Sequence, residues 1–108
     1  MGHTEEPMTQ TVGVVGTGVI GSGWAVRCLA RGHDVVAWDP ADGAEGRLRS
    51  AIDRAWPAAT RLGLFPGADP SRLRWTDSPE AVADASDWIQ ESAPENEDVK
   101  RPLLQTLA

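Results

Sequence analysis

Three glycines and one carboxylate carry most of the chemistry legible in this chain. In Thr11-Val12-Gly13-Val14-Val15 a short β-branched run leads straight into Gly16-Thr17-Gly18-Val19-Ile20-Gly21, the pattern Gly-x-Gly-x-x-Gly, and a helical pattern follows at once. Each glycine then has its own mechanical job. Gly16 makes the tight turn off the strand. Gly18, lacking a Cβ, lets a phosphate approach the backbone. Gly21 lets the new helix lie close against the sheet. A dinucleotide pyrophosphate would rest on free N–H groups at the positive end of that helix. Gly16, Thr17, Gly18, Val19, Ile20 and Gly21 are therefore candidate cofactor-binding positions. The carboxylate is Asp39, 18 residues after Gly21, close to the spacing of about 20 at which an acid meets the adenosine ribose hydroxyls. An acid there repels a 2′-phosphate, so the expected cofactor is NAD over NADP. The plainer alternative is that Asp39 only begins a turn with Pro40. Since a lone glycine motif is common, its context has to carry the reading.

The elements that must position these residues follow from periodicity and punctuation. The first helix is expected from Val19 to about Arg31, with Ile20, Trp24 and Cys28 as a buried stripe and Arg27 and Arg31 facing water. Gly23 in its first turns suggests another close backbone contact. Gly32 supplies a left-handed cap, and His33-Asp34 turn the chain back. His33 has an alternative as a catalytic base, but its place in a turn far from the ligand end favours a structural role. Val35-Val36-Ala37-Trp38 reads as the second strand, delivering Asp39.

A second helix spans Gly43 to about Leu62, with Leu48, Ile52, Ala55 and Trp56 as its apolar face; Pro57 should end or kink it. After a Gly63–Gly67 and Asp69-Pro70 loop, Leu73-Arg74-Trp75 forms a short third strand. Ser78 then caps a small helix that has Pro79 at its first position, Glu80 in its first turn, and its end at Ala85. Asp87 to Ser92 reads as a fourth strand, and Ala93-Pro94-Glu95-Asn96 as the loop at its carboxyl end. A last helix carries Val99, Leu103, Leu104 and Leu107, with a bend or delayed start at Pro102. The sum is α/β: a Rossmann-type parallel sheet with flanking helices, in the order 3-2-1-4.

Composition narrows the setting. With 108 residues this is one domain, and a net charge of -6 argues against nucleic acid or an anionic membrane as partner. Met1 to Gln10 is polar and acidic, without the apolar core of a signal peptide, and reads as a loose tail. No apolar run approaches the roughly 18 residues that span a bilayer, so a reducing, cytoplasmic setting is expected. The single cysteine, Cys28, excludes an internal disulfide and reads as a small buried thiol. The five tryptophans lie in separate elements and are expected in the core, not as a binding platform. No repeat, low-complexity tract or metal-ligand cluster is evident, so no metal is expected.

Three segments together resemble the N-terminal domain of the L-3-hydroxyacyl-CoA dehydrogenase superfamily: Val12 to Ala25, Val36 to Pro40, and Ile89 to Lys100, the last the most specific. Within it, Gly23-Trp24-Ala25, Gln90-Glu91-Ser92-Ala93-Pro94-Glu95 and Ala55-Trp56-Pro57 are most similar to the L-carnitine 3-dehydrogenase branch. The L-gulonate 3-dehydrogenase and lambda-crystallin branch is similar in the same places. The likeness covers roughly residues 11 to 108. It implies that Glu95 lies by the nicotinamide ribose and Lys100 near cofactor and substrate; the plain alternatives are a helix N-terminal acid and a solvated helix charge. It also implies NAD-linked oxidation of a 3-hydroxyl in a small 3-hydroxy acid or acyl-CoA, by a homodimer.

In that family a histidine base oriented by a glutamate, with a serine and an asparagine, does the chemistry at positions later than 108. The only histidines here, His3 and His33, match neither. The resemblance thus implies a chain truncated before the second half of the nucleotide domain, holding the ADP-binding part without catalytic or dimerisation parts, and inactive alone. An exposed sheet edge beside the fourth strand, pairing with a second copy or covered by rearrangement, is the matching expectation. Two other readings stay open: a stand-alone nucleotide-binding module, and a crystallin-like protein that binds NAD without turnover.

Overall fold

A computed structural model of the chain describes residues 9–91. Four strands, β1 (Thr11–Val15), β2 (Asp34–Trp38), β3 (Leu73–Trp75) and β4 (Trp88–Glu91), form one sheet. Every pairing is parallel and the order is β3-β2-β1-β4, as the alternation of strand and helix patterns predicts. The helices are α1 (Val19–Ala30), α2 (Ala44–Leu62) and α3 (Pro79–Ala85), with a short 3-10 turn at Pro70–Arg72.

The period-2 alternation of the central strands divides the core into two layers. Val12, Val14, Val35 and Ala37 face α1 and α2, where Ala25, Cys28, Leu29, Leu48 and Ile52 meet them. Val15 and Val36 face the opposite way and pack on Val82 of α3. Each fully buried valine contributes about 1.5–3 kcal/mol of hydrophobic free energy, so β1 and β2 are the rigid base of the nucleotide edge. Gly13 belongs to the α3 face. A Cβ there would strike Ser86 Oγ and Val82, so the glycine sets how near α3 approaches the sheet.

α1 differs from expectation in which side it buries. Gly21, Ala25, Cys28 and Leu29 are its buried residues, whereas Ile20 is exposed and Trp24 half-buried. In the first turns the small Gly21 and Ala25 face the sheet in place of Ile20, because close helix–sheet approach there outranks the burial of one isoleucine. Gly23 makes no close contact: a Cβ there would meet nothing within 4 Å. Arg27 and Arg31 do face water, lying over the rings of Trp24 and Phe65. Gly32 has the expected left-handed φ of 87°, and its α-hydrogen side is closed by the Pro66 carbonyl. His33 Nδ1 accepts from the Gln10 N–H at 3.1 Å, a structural contact at the sheet edge opposite the glycine loop.

α2 runs on through Pro57 to Leu62 and does not end there. Proline removes only the bond to the Asp53 carbonyl, and Asp53 and Pro57 are both solvent-exposed, where water replaces it. Gly43 is not its first residue but its N-cap, at a φ of 75°. None of the five tryptophans is fully buried: Trp38, Trp56 and Trp75 pack against the core from its rim, while Trp24 and Trp88 form an edge-to-face pair near the surface. Their wide rings border the small side chains of a thin core better than they fit inside it. β4 begins at Trp88, one residue later than expected, and Asp87 before it clamps β1: its carboxylate accepts from the Thr11 N–H at 2.8 Å. Ser92, the loop Ala93–Asn96 and the last helix lie outside the described residues.

Two predictions belong to this scaffold. Ser78 Oγ accepts from the Ala81 N–H at 3.1 Å, with Pro79 at the first helical position. Ser78→Ala is expected to lower stability by about 1 kcal/mol, measured by chemical denaturation. The second concerns pH. Arg72 donates to Asp34 Oδ1 at 2.9 Å, tying the 3-10 turn to the start of β2, and this hydrogen bond holds the Asp34 carboxyl below its ordinary value. A carboxyl depressed in the fold stabilises fully above its unfolded value, about 4, and loses that contribution as pH falls through the folded one. Stability should therefore drop below about pH 4, and Asp34→Asn should flatten that part of the curve. Both side chains are partly exposed, so the effect is at most about 1 kcal/mol.

Candidate functional site

The carboxyl ends of β1 and β2 lie side by side, Val15 opposite Trp38, so the residues that leave each strand meet. Gly16 turns at a φ of 89°, in the region that glycine adopts without steric cost. Its N–H donates to the Trp38 carbonyl at 2.9 Å, which pins the loop to the last residue of β2. Gly21 sits one helical turn into α1 with its α-carbon against that loop. A Cβ on it would fall on the Gly16 carbonyl oxygen, so the helix approaches the sheet only because position 21 has none. Gly18 is the opposite case. A Cβ there would meet nothing within 4 Å, so the space beside its α-carbon is open.

Gly18 is also the N-cap of α1, and no side chain caps it; the first turn carries no acidic residue. The N–H groups that open a helix have no intrahelical acceptor, and with the macrodipole they form a site for an anion. Val19 and Ile20 flank it, 91% and 69% exposed. Large aliphatic side chains held in water at a helix start offer apolar surface to a ligand's flank.

Asp39 completes the arrangement. Its Oδ2 accepts from the Thr17 N–H at 2.7 Å and from Thr17 Oγ1 at 3.1 Å, and its Oδ1 accepts from the Ala41 N–H at 2.8 Å. The acid is thus part of the glycine loop's own hydrogen bonding as well as the head of the turn with Pro40. Beyond it opens a groove of about 700 Å³ at the ends of β2 and β3, lined among others by Trp38, Asp39, Asp42, Trp75, Thr76 and Asp77. Four carboxylates around one groove, Asp39, Asp42, Glu45 and Asp77, disfavour a ligand with an extra phosphate there. The donor set and the open space above Gly18 fit a dinucleotide: anion at the helix start, sugar hydroxyls at Asp39.

Residues 11–108 match the family model described as 3-hydroxyacyl-CoA dehydrogenase, NAD binding domain. The chain belongs to this family. It is 54% identical over 105 residues to an L-carnitine dehydrogenase of Streptomyces coelicolor, covering 96% of this chain and 33% of that protein. It is 59% identical over 97 residues to an L-carnitine dehydrogenase of Streptomyces griseus, covering 89% of this chain and 29% of the relative. Among solved structures, (S)-3-hydroxybutyryl-CoA dehydrogenase of Ralstonia eutropha superposes with a TM-score of 0.75 at 28% identity, over 93% of this chain and 36% of that one. The chain spans about a third of the length of the curated relatives it matches.

Within this NAD binding domain the structure brings Gly16 through Gly21 and Asp39 to one edge of the sheet. Glu95 and Lys100 lie outside the described residues. Sequence reasoning did not find Trp75, Thr76 and Asp77 beside the acid; the signal was the strand order itself, which sets the end of β3 next to the end of β2. It also missed the double hydrogen bond from Thr17 to Asp39. Among the described residues no group of three or more His, Cys, Asp or Glu side chains is arranged to hold a metal ion, and no helix is long and apolar enough to cross a membrane. Cys28 is buried on the sheet side of α1, where burial pushes its thiol up and away from reactivity.

Proposed function

We propose that this chain is the cofactor-binding part of an NAD-dependent 3-hydroxy acid dehydrogenase, with a carnitine-like substrate favoured over an acyl-CoA thioester. The observation that carries the nucleotide reading is Asp39, whose carboxylate is bonded to the glycine loop beside an uncapped helix start. The substrate preference rests on the identity to L-carnitine dehydrogenases, 50% to 59% over the lengths given by three of them. NAD, when bound, supplies the hydride acceptor. The amides of the first turn of α1, beyond the uncapped Gly18, would receive the pyrophosphate, Asp39 would accept from the ribose, and Val19 and Ile20 would shed water from the dinucleotide's flank. By resemblance, Glu95 borders the nicotinamide ribose and Lys100 reaches toward cofactor and substrate.

On this reading residues 11–108 are one part of a longer dinucleotide-binding domain, and the catalytic base belongs to a later part of the enzyme. A homodimer follows from the family resemblance. Sedimentation that gave a monomer at every concentration would count against it. A cytoplasmic setting is supported by the lone Cys28, which has no intrachain disulfide partner.

The test is NADH formation by the enzyme that carries this domain, with L-carnitine and 3-hydroxybutyryl-CoA offered separately. Turnover of L-carnitine is the expected result. Turnover of the thioester alone would overturn the substrate assignment. NAD binding without turnover of either would favour a binding module or a crystallin-like protein.

A further inference from the structure

We propose that Thr17 is a positioning residue, which fixes the Asp39 carboxylate and so sets the preference for NAD over NADP. The inference rests on the reading of Asp39 as the ribose acid. Thr17 occupies a variable position of Gly-x-Gly-x-x-Gly, and nothing in the mechanics of the three glycines asks for a hydroxyl there. Yet among the described residues Thr17 is the one buried polar side chain, 8% exposed. Both its donors converge on a single oxygen: the backbone N–H reaches Asp39 Oδ2 at 2.7 Å and Oγ1 reaches it at 3.1 Å.

The consequence for a ligand follows from counting acceptors. Oδ2 is held from inside the fold by two donors, whereas Oδ1 holds only the Ala41 amide, at 2.8 Å. Each carboxylate oxygen has two lone-pair directions, so Oδ1 keeps capacity for a sugar hydroxyl. With Oδ2 tied down, the carboxylate cannot swing about its side-chain torsions, and its charge stays where a 2′-phosphate would have to enter. Like-charge repulsion falls with distance, so a carboxylate free to turn aside discriminates less. A Thr17 hydroxyl that acts through Asp39 should therefore change the ratio of the two cofactors and not just their common affinity. A purely structural hydroxyl would weaken both alike.

The experiment titrates the wild-type chain, Thr17→Val, Thr17→Ala, Thr17→Ser and Asp39→Ala with NAD and with NADP, following tryptophan fluorescence, with a melting curve for each. In Thr17→Val and Thr17→Ala the backbone N–H bond to Asp39 remains. NAD affinity is expected to fall about five- to tenfold, the net value of one ordinary hydrogen bond. NADP affinity should hold or improve, and Thr17→Ser should restore the wild-type ratio. An equal fall for both cofactors, or no fall, in folded Thr17→Val and Thr17→Ala would overturn the role provided Asp39→Ala still loses NAD. If Asp39→Ala binds NAD as the wild type does, the ribose reading of Asp39 fails first, and the inference with it.

Discussion

Replacing Gly18 by alanine should leave the fold intact and abolish most NAD binding, whereas replacing Gly21 by alanine should damage the fold itself. At Gly18 the φ is -71°, open to any residue, and a Cβ would touch nothing in the protein. Stability should change by less than about 0.5 kcal/mol. The added methyl group instead occupies the space through which a pyrophosphate reaches the helix N-terminus, and a displaced phosphate loses several charge-assisted hydrogen bonds. We expect at least about a hundredfold loss of NAD affinity. At Gly21 the same methyl falls on the Gly16 carbonyl oxygen, which is backbone and cannot rotate away. The gain from replacing glycine in a helix is about 1 kcal/mol, against about 1–3 kcal/mol for overpacking, and here the higher figure applies because two backbones must separate. Thermal melts and NAD titrations of both variants check this. Equal stability loss in the two would mean that the glycine loop is not an open cradle.

The second large effect is expected at Asp39. Asp39→Ala removes the acceptor of three hydrogen bonds and leaves the Thr17 N–H buried without a partner. That should cost about 1–3 kcal/mol of stability. It should also cost tenfold to a hundredfold of NAD affinity, by loss of the ribose hydrogen bonds to a charged group. NADP, no longer repelled, should lose nothing. Asp39→Asn separates the two contributions: it keeps an acceptor for the loop and removes the charge. It is expected to retain more stability than alanine while still relaxing the preference against NADP. Denaturation curves together with titrations of both cofactors decide the matter.

What was legible in the sequence was what the local backbone dictates. Gly16 reads as the tight turn off β1, Ser78-Pro79-Glu80 as a helix start and Gly32 as a left-handed cap, and each is as expected. The parallel order followed from strands alternating with helices. What was not legible depended on how elements meet. Hydrophobicity put Ile20 inside, but the face of α1 that touches β1 is chosen by the absence of a Cβ at Gly21, which turns Ile20 outward. Pro57 reads as an end or a kink, yet α2 runs to Leu62 as its apolar pattern predicts, because the orphaned carbonyl faces water. Tryptophan reads as core unless the core is known to be filled already by aliphatic side chains, which leaves Trp38, Trp56 and Trp75 at its rim. The site divides the same way. Gly16, Gly18, Gly21 and Asp39 announce themselves by spacing. The Thr17 hydroxyl does not, because its partner is 22 residues away, just past the end of β2. Trp75 and Asp77 join the groove only through the pairing of β2 with β3.

The most direct test of the central claim, that the glycine loop and Asp39 form one preorganised NAD site, is a paired titration of this chain with NAD and NADP by tryptophan fluorescence. Trp38 lies at the junction, its carbonyl bonded to Gly16. Saturable NAD binding, at least about tenfold tighter than NADP, is the predicted result. A folded chain that binds neither, or binds both equally, would contradict it.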